Sequence, residues 1–538
     1  MQDTGGSLTA RPAFRRGVGA MVMVLTALVF GQMAGFRFVY WDDYFNFVFN
    51  TGFTKAWTMA ADWGFIFQVA DKVRFQPVTW LVYKALHEVF GEDDASFHTA
   101  SLVAQVAQAG LFYAVLLRLR PKRGSTRAVA LAGMVALAWA VNPLRAEPVA
   151  WASDLPYMLA TLFFLGSLLA YLRGLEAGMA GSARWWMAGA VGLFLLAISS
   201  YPLPLTWPVA LPLVALALRP PAGPVNAGAV ARELRKYLVG PALMLVPAAA
   251  VVAVTVYDRA AHPGIYFAPM RMDAGAWLGR LEHAVVTPPY LVYKFLAPIG
   301  LNPAHYPECD AVGWALAGFM AVFWAAFLIL HFGWRARLRP LLWFYAYLIA
   351  CVPVMNLTEL LLIPPDRYAH LANLVMLMGA YDCAAGAEWM EKRFTLVIFG
   401  LGAWVAYSMA LCWAQVAVWE NSYTLFAYLE AQPCVQEHAD LRDQVQSDRA
   451  GQLTADGNYR EALEVYADYL QRHAKDPVAL HQVGLNYFKL GQYATALRFL
   501  KQAYALWPNP VTMGLMQATQ QKLAEKTGGS AGATAAKP

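Results

Sequence analysis

The chain has 538 residues, of which 59% are hydrophobic and 14% charged, with a formal net charge of +6 and a mean hydropathy of +0.41. Soluble domains carry roughly 25% charged residues. The deficit excludes a large soluble enzyme, and no nucleic-acid partner is expected from so small a net charge.

Apolar runs of about 20 residues recur along most of the chain, each long enough to cross roughly 30 Å of hydrocarbon. Residues 1–16 form a basic N-terminal segment with Arg11, Arg15 and Arg16. About eleven spans follow within residues 17–420: 17–35, 97–117, 128–142, 150–172, 185–199, 201–218, 237–256, 311–331, 340–357, 369–386 and 394–414. The first could be read as a cleaved signal peptide, but no clear A-x-A site follows it. Alternate loops carry the basic residues: Arg118, Arg120, Lys122, Arg123 and Arg127; Arg173 and Arg184; Arg219, Arg232, Arg235 and Lys236; Arg335, Arg337 and Arg339; Lys392 and Arg393. By the positive-inside rule these loops and the N-terminus are cytoplasmic, and the region after the last span is external. The stretch 285–299, with Pro288, Pro289 and Lys294, is read as an external helix at the interface.

The first external loop, 36–95, opens with Trp41-Asp42-Asp43-Tyr44. Carboxylates at a membrane boundary need hydration, a partner or a ligand. Three roles fit them: general base for a hydroxyl nucleophile, ligand of a divalent cation, or N-cap of the next segment. Trp57, Trp63, Phe65 and Phe67 suit interfacial anchoring. The second external loop places Arg145 and Glu147 at a span mouth, as mutual partners or as walls of a polar cavity. Asp366, Arg367 and Tyr368 stand at the head of a later span, where an arginine can clamp a phosphate or anchor the interface. His262, His283 and His305 lack metal-ligand spacing. Cys351, Cys383 and Cys412 lie in apolar runs, and Cys309 and Cys434 have external positions that permit pairing. No phosphate-binding loop, dinucleotide fingerprint or nucleophile elbow occurs.

After a connector at 421–442, residues 443–526 repeat. Gly457 and Gly491, Tyr459 and Tyr493, Ala462 and Ala496, and Leu463 and Leu497 each differ by 34 positions. That is the tetratricopeptide period, in which small residues let two helices approach. Leu480, Gly484, Tyr487, Leu500, Ala503 and Pro508 complete the second copy, and a helix near 511–526 caps the stack. Residues 527–538, rich in Gly, Ala and Lys, are read as a disordered tail.

WDD after the first span, FQPVTWLVY, FHTASL, NPLRAEPVAWAS, SSYPLPLTWPVALPLVAL, YLVYKFLAPIGLNP, PPDRYAHL and VAVWENSYTLFAYLEAQP occur in this order, ahead of the repeats. In this the chain resembles the GT-C superfamily of lipid-sugar-dependent glycosyltransferases. Within it, the chain looks like the transmembrane-and-tetratricopeptide-repeat O-mannosyltransferases and their bacterial relatives. The resemblance implies an all-α membrane fold. It also implies transfer of mannose or another hexose from a polyprenyl-phosphate carrier to a protein or glycan acceptor outside the cytoplasm. The family's acidic first-loop motif maps onto Asp42 and Asp43, its later glutamate onto Glu147 and its DRY stretch onto Asp366, Arg367 and Tyr368. Asp42, Asp43 and Glu147 are the expected catalytic carboxylates. Arg367 and Arg145 are the expected phosphate contacts, supported by Asp366 and Tyr368. A divalent cation is an open question, and no other cofactor is implied. The chain departs from the family at Gln76, Asn142, Arg145 and Tyr201, where basic residues are common, and at Asp154, Leu155 and Pro156, where basic residues commonly follow Ser153. The repeats would recruit the acceptor or a partner protein. Alanine richness and arginine-dominated loops point to a bacterial cytoplasmic membrane. The competing readings are a non-catalytic scaffold whose repeats bind envelope proteins, and a transporter. The second is disfavoured because the suggestive charges stand at span mouths rather than at mid-membrane.

Overall fold

The computed structural model describes residues 11–48, 50, 53, 66, 75–119, 125–178, 181–261, 273–301, 313–355, 365–385 and 387–533. Trp57, Trp63, Phe65, Phe67, His262, His305 and Cys309 lie outside them. Every regular element among the described residues is helical.

In chain order the first helices are α1 (Pro12–Phe30), α2 (Pro77–Phe90), α3 (Asp94–Leu116), α4 (Thr126–Ala140), α5 (Ala146–Ala150), α6 (Leu155–Ala177) and α7 (Ala183–Ser200). Then come α8 (Trp207–Leu218), α9 (Ala227–Arg235), α10 (Val239–Ala261), α11 (Ala274–Leu296), α12 (Trp314–Phe332), α13 (Leu338–Cys351), α14 (Ala369–Ala384) and α15 (Glu388–Ala417). The C-terminal series is α16 (Ser422–Glu430), α17 (Pro433–Glu437), α18 (Ala439–Ala455), α19 (Tyr459–Arg472), α20 (Pro477–Lys489), α21 (Tyr493–Leu506) and α22 (Pro510–Ala533). Local chemistry sets many of the starts. Proline opens α1, α2, α8 and α20 in the first turn, where no intrahelical N–H is lost. Ser125 caps α4 by accepting from Ala128 N at 3.1 Å, and Asp273 caps α11 by accepting from Ala276 N at 3.0 Å. A reciprocal box of Asn421 and Thr424 opens α16.

The chain divides into two compact units: Met1–Phe38 with Phe45–Glu420, and Val39–Tyr44 with Asn421–Pro538. In the first unit seven helical segments are long and apolar enough to cross a membrane: Pro12–Gly35, Asp94–Leu116, Ala152–Ala177, Ala183–Ser200, Val239–Tyr257, Trp314–Phe332 and Glu388–Ala417. Counting the bent pair Thr126–Ala140 and Pro143–Ala150 as one span gives eight. The other three runs that hydropathy reads as spans are short helices. A helix of 12 residues, as at Trp207–Leu218, reaches only about 18 Å. The proline-bearing Pro202–Pro204 stretch precedes it, Leu338–Cys351 tightens into a 3-10 turn at Val352–Val354, and α14 has 16 residues after the 3-10 turn Asp366–Tyr368. The segment read as an interfacial helix lies within α11, which runs on through Pro288 and Pro289. α12 and α15 show much of their apolar surface, including Val322, Leu328, Phe332, Leu396 and Phe399. Such surfaces are stable in lipid, where the backbone is satisfied within the helix and the side chains face hydrocarbon.

In the second unit the pairs α18–α19 and α20–α21 reproduce the 34-residue offset, with Tyr459 and Tyr493 opening their second helices. Gly457 at φ +83° and Gly491 at φ +71° make the turn within each pair, in a backbone region that disfavours other residues. Gly484 lets α20 approach α21, since a Cβ there would meet Leu500 at 2.6 Å. Tyr466, Tyr469, Ala450, Ala479 and Val483 form the core between the pairs. The helix α22 continues to Ala533, past the point where composition places a disordered tail.

Candidate functional site

The charged residues of the first unit meet where helices break. After α4, Asn142 ends the helix and its side-chain oxygen accepts from Leu144 N at 3.1 Å, opening the 3-10 turn Pro143–Arg145. The short α5 comes next, and Ala152–Asp154 turns the chain into α6. These breaks place Arg145, Glu147, Trp151 and Asp154 side by side. From far along the sequence, the 3-10 turn Asp366–Tyr368 supplies Asp366, Arg367 and Tyr368.

Glu147 and Arg367 form an ion pair across 220 residues, and Glu147 Oε2 also accepts from Arg367 N at 3.1 Å. Glu147 is buried and Arg367 partly so. The Arg367 guanidinium lies 5.4 Å over the Trp151 ring and 5.7 Å over Tyr368, and Trp151 stacks on Trp419 at 5.3 Å. Such faces attract a cation while excluding water. Tyr290 donates to Asp366 at 3.4 Å. The hydroxyls of Tyr157 and Tyr201 are 2.8 Å apart, and the Tyr157 ring stacks on Tyr368 at 6.1 Å. Asp366 lies within electrostatic reach of Arg145 and Glu147, and Asp154 within reach of Arg367. The cluster therefore gathers two guanidinium groups and three carboxylates.

Arg145 is fully buried. Its Nη1 donates to His370 O at 2.9 Å and its guanidinium lies 5.5 Å from the Trp139 ring centre. Its Nε and Nη2 are buried without a partner among the described residues. A buried guanidinium with unmet N–H groups favours an anion or water. Behind it runs a polar seam. His370 meets Gln108 Oε1 at 2.9 Å, Gln108 donates to Met158 O at 2.9 Å, and Gln105 donates to Ala140 O at 2.8 Å. His98, Ser101, Gln105 and Gln108 occupy one buried face of α3.

The residues expected from sequence divide between the two units. Glu147, Arg367, Arg145, Asp366 and Tyr368 come together in the first unit. Asp42 and Asp43 belong to the second unit, where Asp42 is exposed and Asp43 is buried, with Asp43 Oδ2 accepting from Val39 N at 3.1 Å. His283 is buried on α11, away from any metal-ligand grouping among the described residues. Sequence reasoning assigned no role to His370, Gln108, Tyr157 and Trp151, and noted Tyr201 and Asp154 only as departures. The available signal was polar residues at positions 98, 101, 105 and 108 on an otherwise apolar span.

One group among the described residues has the spacing to hold a metal ion: Asp440, Asp443 and His473 in the second unit. Asp443 is already engaged by Arg472 Nε at 2.9 and 3.0 Å and by His473 Nε2 at 2.8 Å. Burial opposes its ionisation, but these bonds outweigh burial and hold its carboxyl below the usual value. The group reads as a structural tie between α18 and α19 rather than a metal centre.

An apolar groove of about 430 Å³ opens in the first unit between α2, α7 and α10, lined by Pro77, Val78, Leu195, Ser199, Pro247 and Val251 among others. Thr79 of α2, itself buried, donates to Ser200 O at 2.9 Å, one residue before Tyr201. Compared with family models, curated proteins and solved structures, the chain matches none of them.

Proposed function

We propose that this protein is a membrane glycosyltransferase of the GT-C kind, moving a hexose such as mannose from a polyprenyl-phosphate carrier to a protein or glycan acceptor. The observation that carries the reading is the meeting of Glu147 and Arg367 beside the buried, partly unpartnered Arg145. A lipid phosphate is an anion with an apolar tail. Arg367 and Arg145 are its contacts in this reading, and Glu147 holds Arg367 in place until the donor arrives. The apolar groove walled by α2, α7 and α10 suits the isoprenoid chain. Phosphate is a good leaving group, so transfer needs mainly positioning, electrostatic support and a base. Asp42, exposed after the first span, takes the proton of the acceptor hydroxyl as it attacks the anomeric carbon, and the polyprenyl phosphate departs with the bonding pair. Asp43 supports it from its buried position.

The helix pairs of the second unit are read as tetratricopeptide repeats. With the basic loops cytoplasmic, this unit lies outside the cytoplasm, in a bacterial cytoplasmic membrane. The deciding experiment incubates membranes containing the protein with a panel of radiolabelled polyprenyl-phosphate sugars and tracks label into acceptor. Transfer of one sugar, lost on Arg367→Gln, supports the reading; no transfer from any donor in the panel refutes it.

A further inference from the structure

The acidic segment after the first span is packed into the repeats. Val39 and Tyr40 are buried, and the partners of Tyr40 within the second unit come from three of its helices. Tyr40 N donates to Ser422 Oγ on α16 at 2.7 Å. The same hydroxyl bonds Gln452 on α18, whose Nε2 donates to Tyr44 OH at 3.3 Å. Gln482 on α20 donates to Tyr40 OH at 3.3 Å, and the Tyr40 and Tyr44 rings lie 5.1 Å apart. α18 and α20 are the leading helices of the two pairs, the kind of face that stacked helix pairs use to hold ligands.

Gly451 shows how closely the ring is fitted. Glycine inside a helix costs about 1 kcal/mol relative to alanine, so its place in the last turns of α18 needs a packing reason. The Tyr40 ring supplies it: a Cβ at residue 451 would fall well inside van der Waals contact of the ring and 2.6 Å from its hydroxyl. The missing methyl is the seat of the tyrosine.

From this geometry we infer that the repeat groove is a clamp for the chain's own segment Val39–Tyr44, and that Tyr40 and Gly451 are positioning residues for Asp42. The inference rests on the proposed role of Asp42 as base. Within the clamped segment Asp43 is buried and Asp42 exposed, on a backbone tied at Val39 and Tyr40. The leading-helix face is therefore occupied in cis, and an acceptor or partner would have to meet another surface of the repeats.

The test compares Gly451→Ala, Tyr40→Ala, Tyr40→Phe and the double alanine variant in the full-length protein. Gly451→Ala raises helix propensity, so a loss of function in it is not a loss of the helix. Amide exchange across residues 39–44 should accelerate at least about tenfold in Gly451→Ala and in Tyr40→Ala, because local opening no longer breaks the seat. Gly451→Ala should add nothing to Tyr40→Ala, since both remove one contact. Tyr40→Phe, which keeps the ring, should restore near-native protection. In the transfer assay kcat should fall in the two alanine variants while KM for the donor holds. Unchanged exchange in both single variants overturns the clamp. Accelerated exchange with unchanged kcat overturns the positioning role. Accelerated exchange in a protein whose wild type transfers no sugar supports the clamp and removes the functional reading alone.

Discussion

Asp42 and Asp43 are adjacent yet have opposite surroundings: Asp42 is exposed, and Asp43 is buried with Val39 N as a donor. Asp42→Asn preserves shape and removes the base, so transfer should fall by roughly 10²–10⁴-fold with donor binding retained. Asp43→Asn should act mainly on the turn and cost less. Full activity in Asp42→Asn with normal expression would remove the base assignment. Glu147 and Arg367 behave differently, because each neutralises the other in a poorly solvated place. Glu147→Gln leaves Arg367 without its carboxylate and should destabilise by about 3–5 kcal/mol, the usual cost of breaking a buried pair. Adding Arg367→Gln should recover much of that, read as thermal unfolding in detergent. A loss in the double variant equal to the sum of the two single losses would mean that the pair is not coupled.

On α18, Asp448 has a carboxyl that burial pushes up to about 7, close enough to Tyr40 and Tyr466 to interact electrostatically with both. A raised acid pKa favours the neutral form in the fold. Its contribution to stability is therefore complete below the unfolded value of about 4 and is lost as pH rises through 7. Protection of the repeat helices should decline between about pH 4 and 7 in the wild type, and Asp448→Asn should remove that slope. An unchanged slope in the variant would place its origin elsewhere. α3 offers a second test at this scale. Gln108→Leu strands Met158 O and the His370 ring in the bundle and should cost about 1–3 kcal/mol, although leucine suits a lipid-facing helix better. A neutral or stabilising result would mean that this seam is freely hydrated.

For the whole molecule the prediction is topological. If the basic loops face the cytoplasm as proposed, a cysteine placed in the 470s should react with an impermeant thiol reagent in intact spheroplasts. Labelling only after lysis would invert the orientation and move the acidic segment to the cytoplasm. Deleting residues after about 440 removes Gln452 and Gln482, the partners of Tyr44 and Tyr40. Donor binding should survive and transfer should fall, so loss of donor binding on truncation would contradict the division of labour between the two units.

Composition alone announced α1, α3, α10 and α12 as helices long and apolar enough to cross a membrane, because a long uncharged run satisfies its backbone in hydrocarbon only as a helix. The 34-residue offset likewise announced the α18–α19 and α20–α21 pairs, since small residues and aromatics recur wherever helices pack alike. Hydropathy could not tell a full span from the short helices Trp207–Leu218 and Leu338–Cys351, because it registers apolarity while turns and prolines set length. Arg145, Glu147 and Arg367 were legible as charges at helix ends, but their meeting was not, as contact across 220 residues depends on how the helices pack. The environment of the WDD segment lay furthest from the sequence. Nothing near Tyr40 in the chain announces Ser422, Gly451, Gln452 and Gln482, and only tertiary packing brings a seat made by a missing methyl to the ring that fills it.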